Sequence, residues 1–308
     1  MILVTGASGY LGSNMIVKLE NNGYQVVGID VNHTDHLTCK FYPLNMLDLR
    51  DLESVFNDNN IDLVIHFAAY KSVKESVINP GKYYINNINI LTNLLYCMQK
   101  YHCNKLVFSS SATVYGTQPC PLNESLSFGN TTNPYGTTKQ ICENIIKDYC
   151  KYSDFRAISL RYFNPVGKST FEENTLCPAE NLVPNILHAI YGKLTLQIFG
   201  TDYNTIDGTC ERDFIHIDDL LDGHLRAIQY INLNTGYETF NLGTGKPCTV
   251  LSLINVFEQT FDKKIPYELH DRRPGDIQTS YCCNKKAREK LLWTPTKTIE
   301  DMCKSYIM

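Results

Sequence analysis

A serine, a tyrosine and a lysine are the residues of this chain whose combined chemistry is easiest to define. Ser111 lies at the tip of a strand-like run, Lys105–Ser109, and Tyr135 and Lys139 open a helical pattern that begins at Pro134. Residues at i and i+4 share one helix face, so the lysine ammonium is expected beside the phenol. A phenol with a pKa of about 10 is a poor base at neutral pH, but a nearby positive charge favours the phenolate. Such a phenol can exchange a proton with an alcohol, and Ser111 can hydrogen-bond the same oxygen.

The Tyr-x-x-x-Lys spacing identifies no site by itself, because such a pair is usually a solvated helix face. Tyr135 is distinguished by its position, since its helix follows a strand end that carries serines. The spacing occurs at Tyr70–Lys74, Tyr96–Lys100, Tyr101–Lys105, Tyr135–Lys139 and Tyr281–Lys285.

The first twelve residues predict a dinucleotide site. An apolar run, Ile2–Val4, leads into Gly6-x-x-Gly9-x-x-Gly12 and an amphipathic segment. A helix N-terminus there offers unpaired N–H groups and partial positive charge to a pyrophosphate, and the glycines allow close approach. Asp30, about 20 residues further on, suits a ribose 2′-hydroxyl and would repel a 2′-phosphate, which favours NAD over NADP. The alternative is a surface turn that happens to contain three glycines.

These two patterns together predict redox chemistry at a substrate alcohol. The positive nicotinamide ring of NAD⁺ would favour the Tyr135 phenolate further. Hydride could then pass to the nicotinamide while Tyr135 takes the hydroxyl proton.

Strand-like runs alternate with helix-like segments in the first half of the chain. This alternation predicts an α/β fold, a doubly wound parallel sheet of Rossmann-like type, with ligands beyond the carboxyl ends of the strands. The predicted strands are Ile2–Val4, Val26–Asp30, Lys40–Leu44, Leu63–Phe67, Lys105–Ser109 and Ala157–Tyr162, and the predicted helices lie near Tyr10–Asn22, Asp48–Asn57, Gly81–Tyr101 and Tyr135–Tyr152.

A second, smaller mixed α/β lobe is predicted after about Asn164, where loops lengthen and strands shorten. We expect an NAD-binding domain over residues 1–165 and a substrate lobe over 166–308. Segments near 212–243 are expected to return to the first domain, with Arg212–Ile217 and Phe240–Leu242 as the returning strands.

Composition narrows the possible partners and location. The 308 residues carry a net charge of −4 and no basic run, so nucleic acid is not an expected partner. No apolar stretch approaches the ~20 residues that span a bilayer, and the opening core strand leaves no room for a signal peptide. The twelve cysteines contain no C-x-x-C pair, which favours reduced thiols in the cytoplasm and no metal site.

The chain resembles the extended short-chain dehydrogenase/reductase family and, within it, the branch that epimerises UDP-hexoses at C4. The resemblance covers almost the whole chain, and its most specific stretches belong to the sugar-nucleotide lobe. The stretches are Ile65-His66-Phe67-Ala68-Ala69, Ser109 to Gly116 (SSSATVYG), Arg161 to Gly167 (RYFNPVG), Phe199-Gly200-Thr201-Asp202-Tyr203, and Asp207-Gly208-Thr209 through Arg212-Asp213-Phe214-Ile215-His216.

The resemblance implies a set of site residues and a mechanism in which C4 is oxidised to a 4-keto sugar and reduced from the opposite face. NAD would stay bound, because net redox is zero. The implied catalytic residues are Ser111, Tyr135 and Lys139; the cofactor contacts are Gly6, Gly9, Tyr10, Leu11, Gly12, Asp30, Asn45, Met46, Phe67, Ala68, Ala69, Lys71, Asn86, Ser109, Tyr135, Lys139 and Tyr162; the substrate contacts are Ser111, Asn164, Asn181, Leu182, Arg212, Arg273, Asp276 and Ser280.

Arg212, Asn45 and Ser280 bear on how the diphosphate, the adenine and the sugar would be bound. A dianionic diphosphate needs forked donors, which agrees with the arginines, although Arg212 could instead pair with its neighbour Asp213. Asn45 replaces the usual aspartate facing adenine, and its amide oxygen can still accept that hydrogen bond. Ser280 falls where the family gates the sugar pocket, and a serine would admit a 2-acetamido group. We therefore expect both UDP-glucose/UDP-galactose and the N-acetylated pair as substrates, unless neighbours such as Tyr281 fill the space.

The sequence leaves alternatives for both the function and the oligomeric state. A nucleotide-sugar 4,6-dehydratase would need an Asp-Glu pair where Ala112-Thr113 stands, and a UDP-glucuronate decarboxylase would need a polar set for a carboxylate. A non-catalytic NAD-binding sensor often loses the tyrosine or lysine, and both are present. Apolar residues on more than one face of the 81–101 and 135–152 helices, such as Ile141, Ile145 and Tyr149, suggest a homodimer, although they could simply cover the sheet.

Overall fold

A seven-stranded parallel sheet forms the centre of the first lobe. The computed structural model describes residues 1–168, 181–273 and 275–307. The strands run in the order β11-β6-β5-β4-β1-β2-β3, and every neighbouring pair is parallel. Its members are β1 Ile2–Thr5, β2 Val26–Asp30, β3 Lys40–Pro43, β4 Leu63–His66, β5 Lys105–Ser111, β6 Arg156–Tyr162 and β11 Gly236–Leu242. The predicted α/β doubly wound fold is confirmed.

Helices cover both faces of this sheet because successive strand residues point to opposite sides. Ile2 and Val4 of β1 join one buried cluster, whereas Leu3 between them joins the other. The helices of the first half are α1 Tyr10–Asn21, α2 Leu49–Asp58, α3 Val73–Ile78, α4 Pro80–Lys100 and α5 Pro134–Tyr152, with a short 3₁₀ helix at Ala112–Tyr115. Among these, α3 is a separate helix that periodicity did not predict.

The second lobe contains short strands and its own apolar core, which includes Ile186, Leu253 and Phe257. Its strands pair as β7 with β10, β8 with β13, and β9 with β12 and β14. These strands are β7 Asn164–Val166, β8 Leu196–Phe199, β9 Glu211–Arg212, β10 Phe214–His216, β12 Cys248–Thr249, β13 Tyr267–His270 and β14 Thr279–Ser280; the remaining helices are α6 Leu182–Ile190, α7 Ile217–Leu233, α8 Val250–Phe261, α9 Lys285–Lys290 and α10 Ile299–Lys304.

Of the two strands expected to return to the first lobe, one does so and one does not. Phe240–Leu242 lies in β11 at the edge of the main sheet, beside β6. The prediction for Arg212–Ile217 is wrong: this run is interrupted at Asp213, and its two short strands pair with β12, β14 and β7. The main chain changes partner at Asp213, since its N–H donates to the carbonyl oxygen of Ser280 in β14 and its own carbonyl oxygen accepts the N–H of Asn164 in β7.

No helix among the described residues has the length and apolar character needed to cross a membrane. All cysteines except Cys177 are among the described residues, and these form no disulfide. The described residues as a whole contain no cluster of metal-binding side chains. Pro274 and the segment 169–180 of the predicted second lobe lie outside the described residues.

Candidate active site

A cavity of about 620 Å³ lies at the carboxyl edge of the parallel sheet. This is the edge where ligands of doubly wound sheets bind. Every residue predicted to contact the cofactor lines this cavity: Gly6, Gly9, Tyr10, Leu11, Gly12, Asp30, Asn45, Met46, Phe67, Ala68, Ala69, Lys71, Asn86, Ser109, Tyr135, Lys139 and Tyr162.

The glycine turn is packed too tightly for any side chain. A Cβ on Gly12 would lie 2.0 Å from the carbonyl oxygen of Gly6, so α1 could not approach β1 as it does. Gly6 has φ +70°, a conformation that glycine adopts without strain. No side chain caps α1 at Gly9, which leaves N–H groups of the first helical turn available to an anion. The turn therefore fits the pyrophosphate of a dinucleotide.

Asp30 and Asn45 lie on the adenosine side of the cavity. The Asp30 carboxylate accepts hydrogen bonds from the N–H groups of Ser8 and Asn32, both at 3.1 Å. These bonds fix an acceptor at the end of β2, where a ribose hydroxyl is expected. The Asn45 amide oxygen accepts a bond from the N–H of Leu47 at 3.0 Å, so one of its two acceptor positions is already used.

Tyr135 lies in the first turn of α5, which the sequence stabilises locally. Pro134 occupies the start of the helix, and the Asn133 side chain accepts a hydrogen bond from the N–H of Gly136 at 2.8 Å. Lys139 follows one turn later, and its Nζ lies 5.9 Å from the centre of the Tyr135 ring. The helix start thus presents the phenol and the amine to the same cavity, as the spacing predicted.

The electrostatics of this pair differ from the expectation that Lys139 lowers the pKa of Tyr135. Burial raises the pKa of Tyr135 to about 12, and a hydrogen bond from Ser111 opposes that rise. The Lys139 Nζ donates instead to the carbonyl oxygen of Ser109 at 2.6 Å. Burial also lowers the pKa of Lys139 to about 8. Desolvation is therefore the main cause of the pKa shifts of both Tyr135 and Lys139.

A buried ion pair supports α5 from behind and was missed by the sequence analysis. The Arg161 guanidinium donates two bonds to the Glu143 carboxylate, at 3.0 and 2.7 Å, and Ser110 donates a third at 2.5 Å. The one available signal in the sequence was the position of Glu143 four residues after Lys139, which places both side chains on the same face of the helix. This bidentate pair joins α5 to β6, and the Ser110 bond joins α5 to β5.

Tyr162 is held by a buried histidine that was also missed. Its hydroxyl lies 2.6 Å from His224 Nε2, and His224 Nδ1 lies 2.9 Å from the carbonyl oxygen of Leu220. Burial lowers the pKa of His224 to about 4, so the ring is neutral at pH 7. Because Nδ1 donates to the carbonyl oxygen, Nε2 accepts a hydrogen bond from the Tyr162 hydroxyl. This arrangement fixes the Tyr162 ring in the cavity wall.

The residues predicted to contact the substrate divide into two groups. Ser111, Asn164 and Asn181 line the cavity, whereas Leu182, Arg212, Arg273, Asp276 and Ser280 are not part of its lining. Arg212 and Ser280 are direct neighbours across β9 and β14. The Arg273 Nε lies 2.9 Å from the Asp276 carboxylate, and its guanidinium lies 4.7 Å from the Phe199 ring centre.

The alternative partner for Arg212 is not used. Its guanidinium donates to the carbonyl oxygens of Glu211 at 2.8 Å and Gln278 at 3.4 Å. Asp213 is fully buried and takes its bonds from the N–H groups of residues 244, 245 and 282. Within the described part of the chain, the positive charge of Arg212 therefore meets no carboxylate.

Comparison with known proteins identifies the family. Residues 2–243 match the model of the NAD dependent epimerase/dehydratase family. The chain is 42% identical to the UDP-glucose 4-epimerase of Bacillus subtilis, over 98% of this chain and 94% of that protein. The chain belongs to the NAD-dependent epimerase/dehydratase family.

Solved structures of this family share the whole fold. The UDP-glucose 4-epimerase from Bifidobacterium longum, in complex with NAD⁺ and UDP, is 39% identical, with a TM-score of 0.91 over 99% of this chain and 96% of that one. The UDP-Glc/GlcNAc 4-epimerase from Campylobacter jejuni is 32% identical, with a TM-score of 0.85 over 99% and 97%. The resemblance to the epimerase branch is confirmed. As a dehydratase, the chain would need carboxylates beside Ser111, where it has Ala112 and Thr113.

Proposed function

We propose that this chain is an NAD-dependent isomerase that inverts C4 of a UDP-hexose, interconverting UDP-glucose and UDP-galactose. One observation carries the proposal: Ser111, Tyr135 and Lys139 meet in the same cavity as the glycine turn and Asp30. Relatives with 40–43% identity over 98% of the chain are UDP-glucose 4-epimerases, which supports the same reaction here.

The first lobe would hold the cofactor. The N-terminus of α1 takes the pyrophosphate, Asp30 takes the adenosine ribose, and Lys71, Asn86 and Tyr162 lie along the rest of the cavity. When bound there, NAD supplies the hydride acceptor and then the hydride donor.

Tyr135 performs the proton transfer in this proposal. Its phenolic oxygen takes the proton of the sugar 4-hydroxyl and later returns it, while Ser111 donates a hydrogen bond to the same reacting oxygen. The Lys139 ammonium, held by the Ser109 carbonyl, stabilises the phenolate form of Tyr135, which is the form that accepts the 4-hydroxyl proton. The proton is borrowed and restored, so the enzyme returns to its starting state after each turnover.

The second lobe would hold the nucleotide of the substrate. Arg212 and Arg273 bind the diphosphate, and Asn164, Asn181, Leu182 and Asp276 bind the remaining parts of the nucleotide-sugar. Arg212 has no carboxylate partner in the described structure and suits a doubly charged diphosphate. Binding through the nucleotide leaves the keto-hexose able to turn over, so that both faces of C4 can be reduced.

We infer a substrate range that includes UDP-N-acetylglucosamine and UDP-N-acetylgalactosamine. Ser280 is a small side chain beside Arg212, 8% exposed, at the position that gates the sugar. The name of the Campylobacter jejuni protein, which is 32% identical, includes both UDP-Glc and GlcNAc. A serine at this position is smaller than a tyrosine, which would crowd a 2-acetamido group.

The lobes, the assembly and the location complete the proposal. Residues 1–165 with α7 and β11 form the NAD-binding domain, and the remainder of 166–308 forms the nucleotide-sugar lobe. A homodimer would form through α4 and α5, where Ile85 is 59% exposed and Ile141, Ile145 and Tyr149 are half-buried. Sedimentation should give twice the 35.1 kDa of one chain.

The cysteines that the structure describes are unpaired, which fits the reducing cytoplasm, and a tagged protein should be found in the cytoplasmic fraction.

The test uses purified protein with no added NAD. Incubation with UDP-galactose should yield UDP-glucose, and acid release should yield NAD in proportion to the protein. Tyr135→Phe should retain the nucleotide and lose at least roughly 10²-fold in kcat, in line with general acid–base catalysis. Wild-type protein that carries NAD but converts no UDP-hexose would disprove the epimerase assignment.

A further inference from the structure

Thr113 lies two residues beyond Ser111 and was not among the predicted site residues, yet it lines the same cavity. Ser111 ends β5 and begins the short 3₁₀ helix that contains Thr113. The Ser111 Oγ accepts a hydrogen bond from the Thr113 N–H at 3.2 Å and a second from the Thr113 hydroxyl at 3.0 Å. In both bonds Thr113 is the donor and the serine oxygen is the acceptor.

These two bonds determine the direction in which Ser111 can act. A serine hydroxyl has one O–H donor and two acceptor positions. Because Thr113 occupies both acceptor positions, Ser111 can form a further hydrogen bond only by donating its own O–H. The group in position to receive that proton is Tyr135, since a hydrogen bond with Ser111 opposes the rise that burial causes in the Tyr135 pKa. Hydrogen bonds in a chain also polarise one another, which strengthens the final donation.

The Thr113 side chain is held in this orientation by the start of the catalytic helix. A Cβ on Gly136, the residue after Tyr135, would lie 3.2 Å from both the Cβ and the carbonyl oxygen of Thr113. That carbonyl also accepts the N–H of Gly116 at 3.1 Å. The absence of a side chain at Gly136 thus lets the threonine and the tyrosine-bearing turn pack directly together.

We propose that Thr113 is a positioning residue that makes Ser111 a one-way hydrogen-bond donor, whose single O–H is shared between the oxygens of Tyr135 and the reacting sugar hydroxyl. The inference rests on the proposed function and deepens it. Thr113 would not contact the reacting atoms itself. It would keep the serine from accepting a bond from the phenol, so that the phenolic proton remains directed at the substrate.

Two substitutions separate the hydroxyl from the shape of the side chain. Thr113→Val keeps the branched shape and removes the donor, whereas Thr113→Ser keeps the donor. Thr113→Val should lower kcat roughly 3- to 10-fold, the size expected for one hydrogen bond, with KM within about twofold of wild type. The limb of the kcat profile that reports deprotonation of Tyr135 should move to higher pH, because the phenolate loses donation. Thr113→Ser should restore both values.

A matched control removes a threonine hydroxyl elsewhere. Thr38 donates to Glu20 at 2.7 Å on the surface, and Thr38→Val should leave kcat and its pH profile at wild-type values. Should Thr113→Val fail to fold, Thr113→Ala removes the same donor with less bulk and is assayed in its place.

A measurement without turnover distinguishes failure of this inference from failure of the proposed function. Protein labelled with ¹³C at tyrosine Cζ should show a Tyr135 resonance, assigned by its loss in Tyr135→Phe. That resonance should shift in Thr113→Val and keep its wild-type position in Thr113→Ser. An unchanged resonance and pH profile in Thr113→Val, or equal effects of Val and Ser, would overturn the role of Thr113. Absence of wild-type epimerisation would refute only the function, since the resonance still decides the hydrogen-bond direction.

Discussion

The cofactor side and the sugar side of the site are built in different ways. Every predicted cofactor contact lines one cavity, whereas five predicted substrate contacts, Leu182, Arg212, Arg273, Asp276 and Ser280, lie outside its lining. The first group lies at the ends of parallel strands, which meet at one edge of a sheet. The second group lies in loops, one helix start and strands of two residues. A continuous sheet therefore assembles its half of the site in advance, while the other half depends on how the second lobe is placed.

The hydrogen-bond partners of the polar side chains also show that the cofactor side is more fixed than the sugar side. Lys139 and Asp30 are held by main-chain groups that are themselves part of the sheet and its first turns. Arg212 contacts only carbonyl oxygens in the described structure, and Arg273 is half-exposed beside Asp276. The cofactor side is thus preorganised, whereas the arginines retain donors for a ligand. Three substitutions test this contrast.

The largest effect should come from Gly12→Ala. The new Cβ would meet the Gly6 carbonyl oxygen at 2.0 Å, so α1 must move away from β1. We expect NAD content to fall by more than roughly tenfold and the free energy of unfolding to fall by about 1–3 kcal/mol, as in overpacked cores. NAD release on acid treatment and thermal unfolding measure these changes. Gly81→Ala is the matched control, since its Cβ would meet nothing within 4 Å; equal NAD content in both variants would contradict a preorganised turn.

An intermediate effect is expected from Arg212→Ala. Loss of charged hydrogen bonds to a diphosphate should raise KM for UDP-galactose roughly 10- to 100-fold. NAD content should stay at the wild-type level, because Arg212 lies outside the cofactor cavity. Arg288→Ala, which removes an exposed arginine from α9, provides the control and should leave KM unchanged. A fall in NAD content with unchanged KM would show that the two sides are not separable.

The smallest effect on the parent reaction is expected from Ser280→Tyr. A tyrosine should crowd a 2-acetamido group but not a 2-hydroxyl, so kcat/KM for UDP-N-acetylglucosamine should fall about tenfold relative to UDP-glucose. Turnover of UDP-glucose should stay within about threefold of wild type. Paired assays of the two sugars give the ratio, and an equal ratio in both proteins would end the proposal that Ser280 sets the substrate range.

Local patterns predicted the central elements well because they depend on neighbours in sequence. The apolar runs became β1, β2 and β4–β6, and the 81–101 pattern became α4. Arg212–Ile217 was mispredicted because its sequence pattern does not reveal that the main chain changes partner at Asp213, from Ser280 to Asn164. Those partners are distant in the chain, and no periodicity reports them.

The sequence by itself determined the glycine turn, the acid at Asp30 and the shared helix face of Tyr135 and Lys139, since each depends on spacing within one or two adjacent elements. Tertiary structure decided the protonation chemistry and the supports of the site. It directed the Lys139 ammonium to the Ser109 carbonyl, buried Tyr135 so that its pKa rises to about 12, and paired Glu143 with Arg161. Burial and partners bring together residues far apart in the chain, so they are defined only once the sheet and helices have packed.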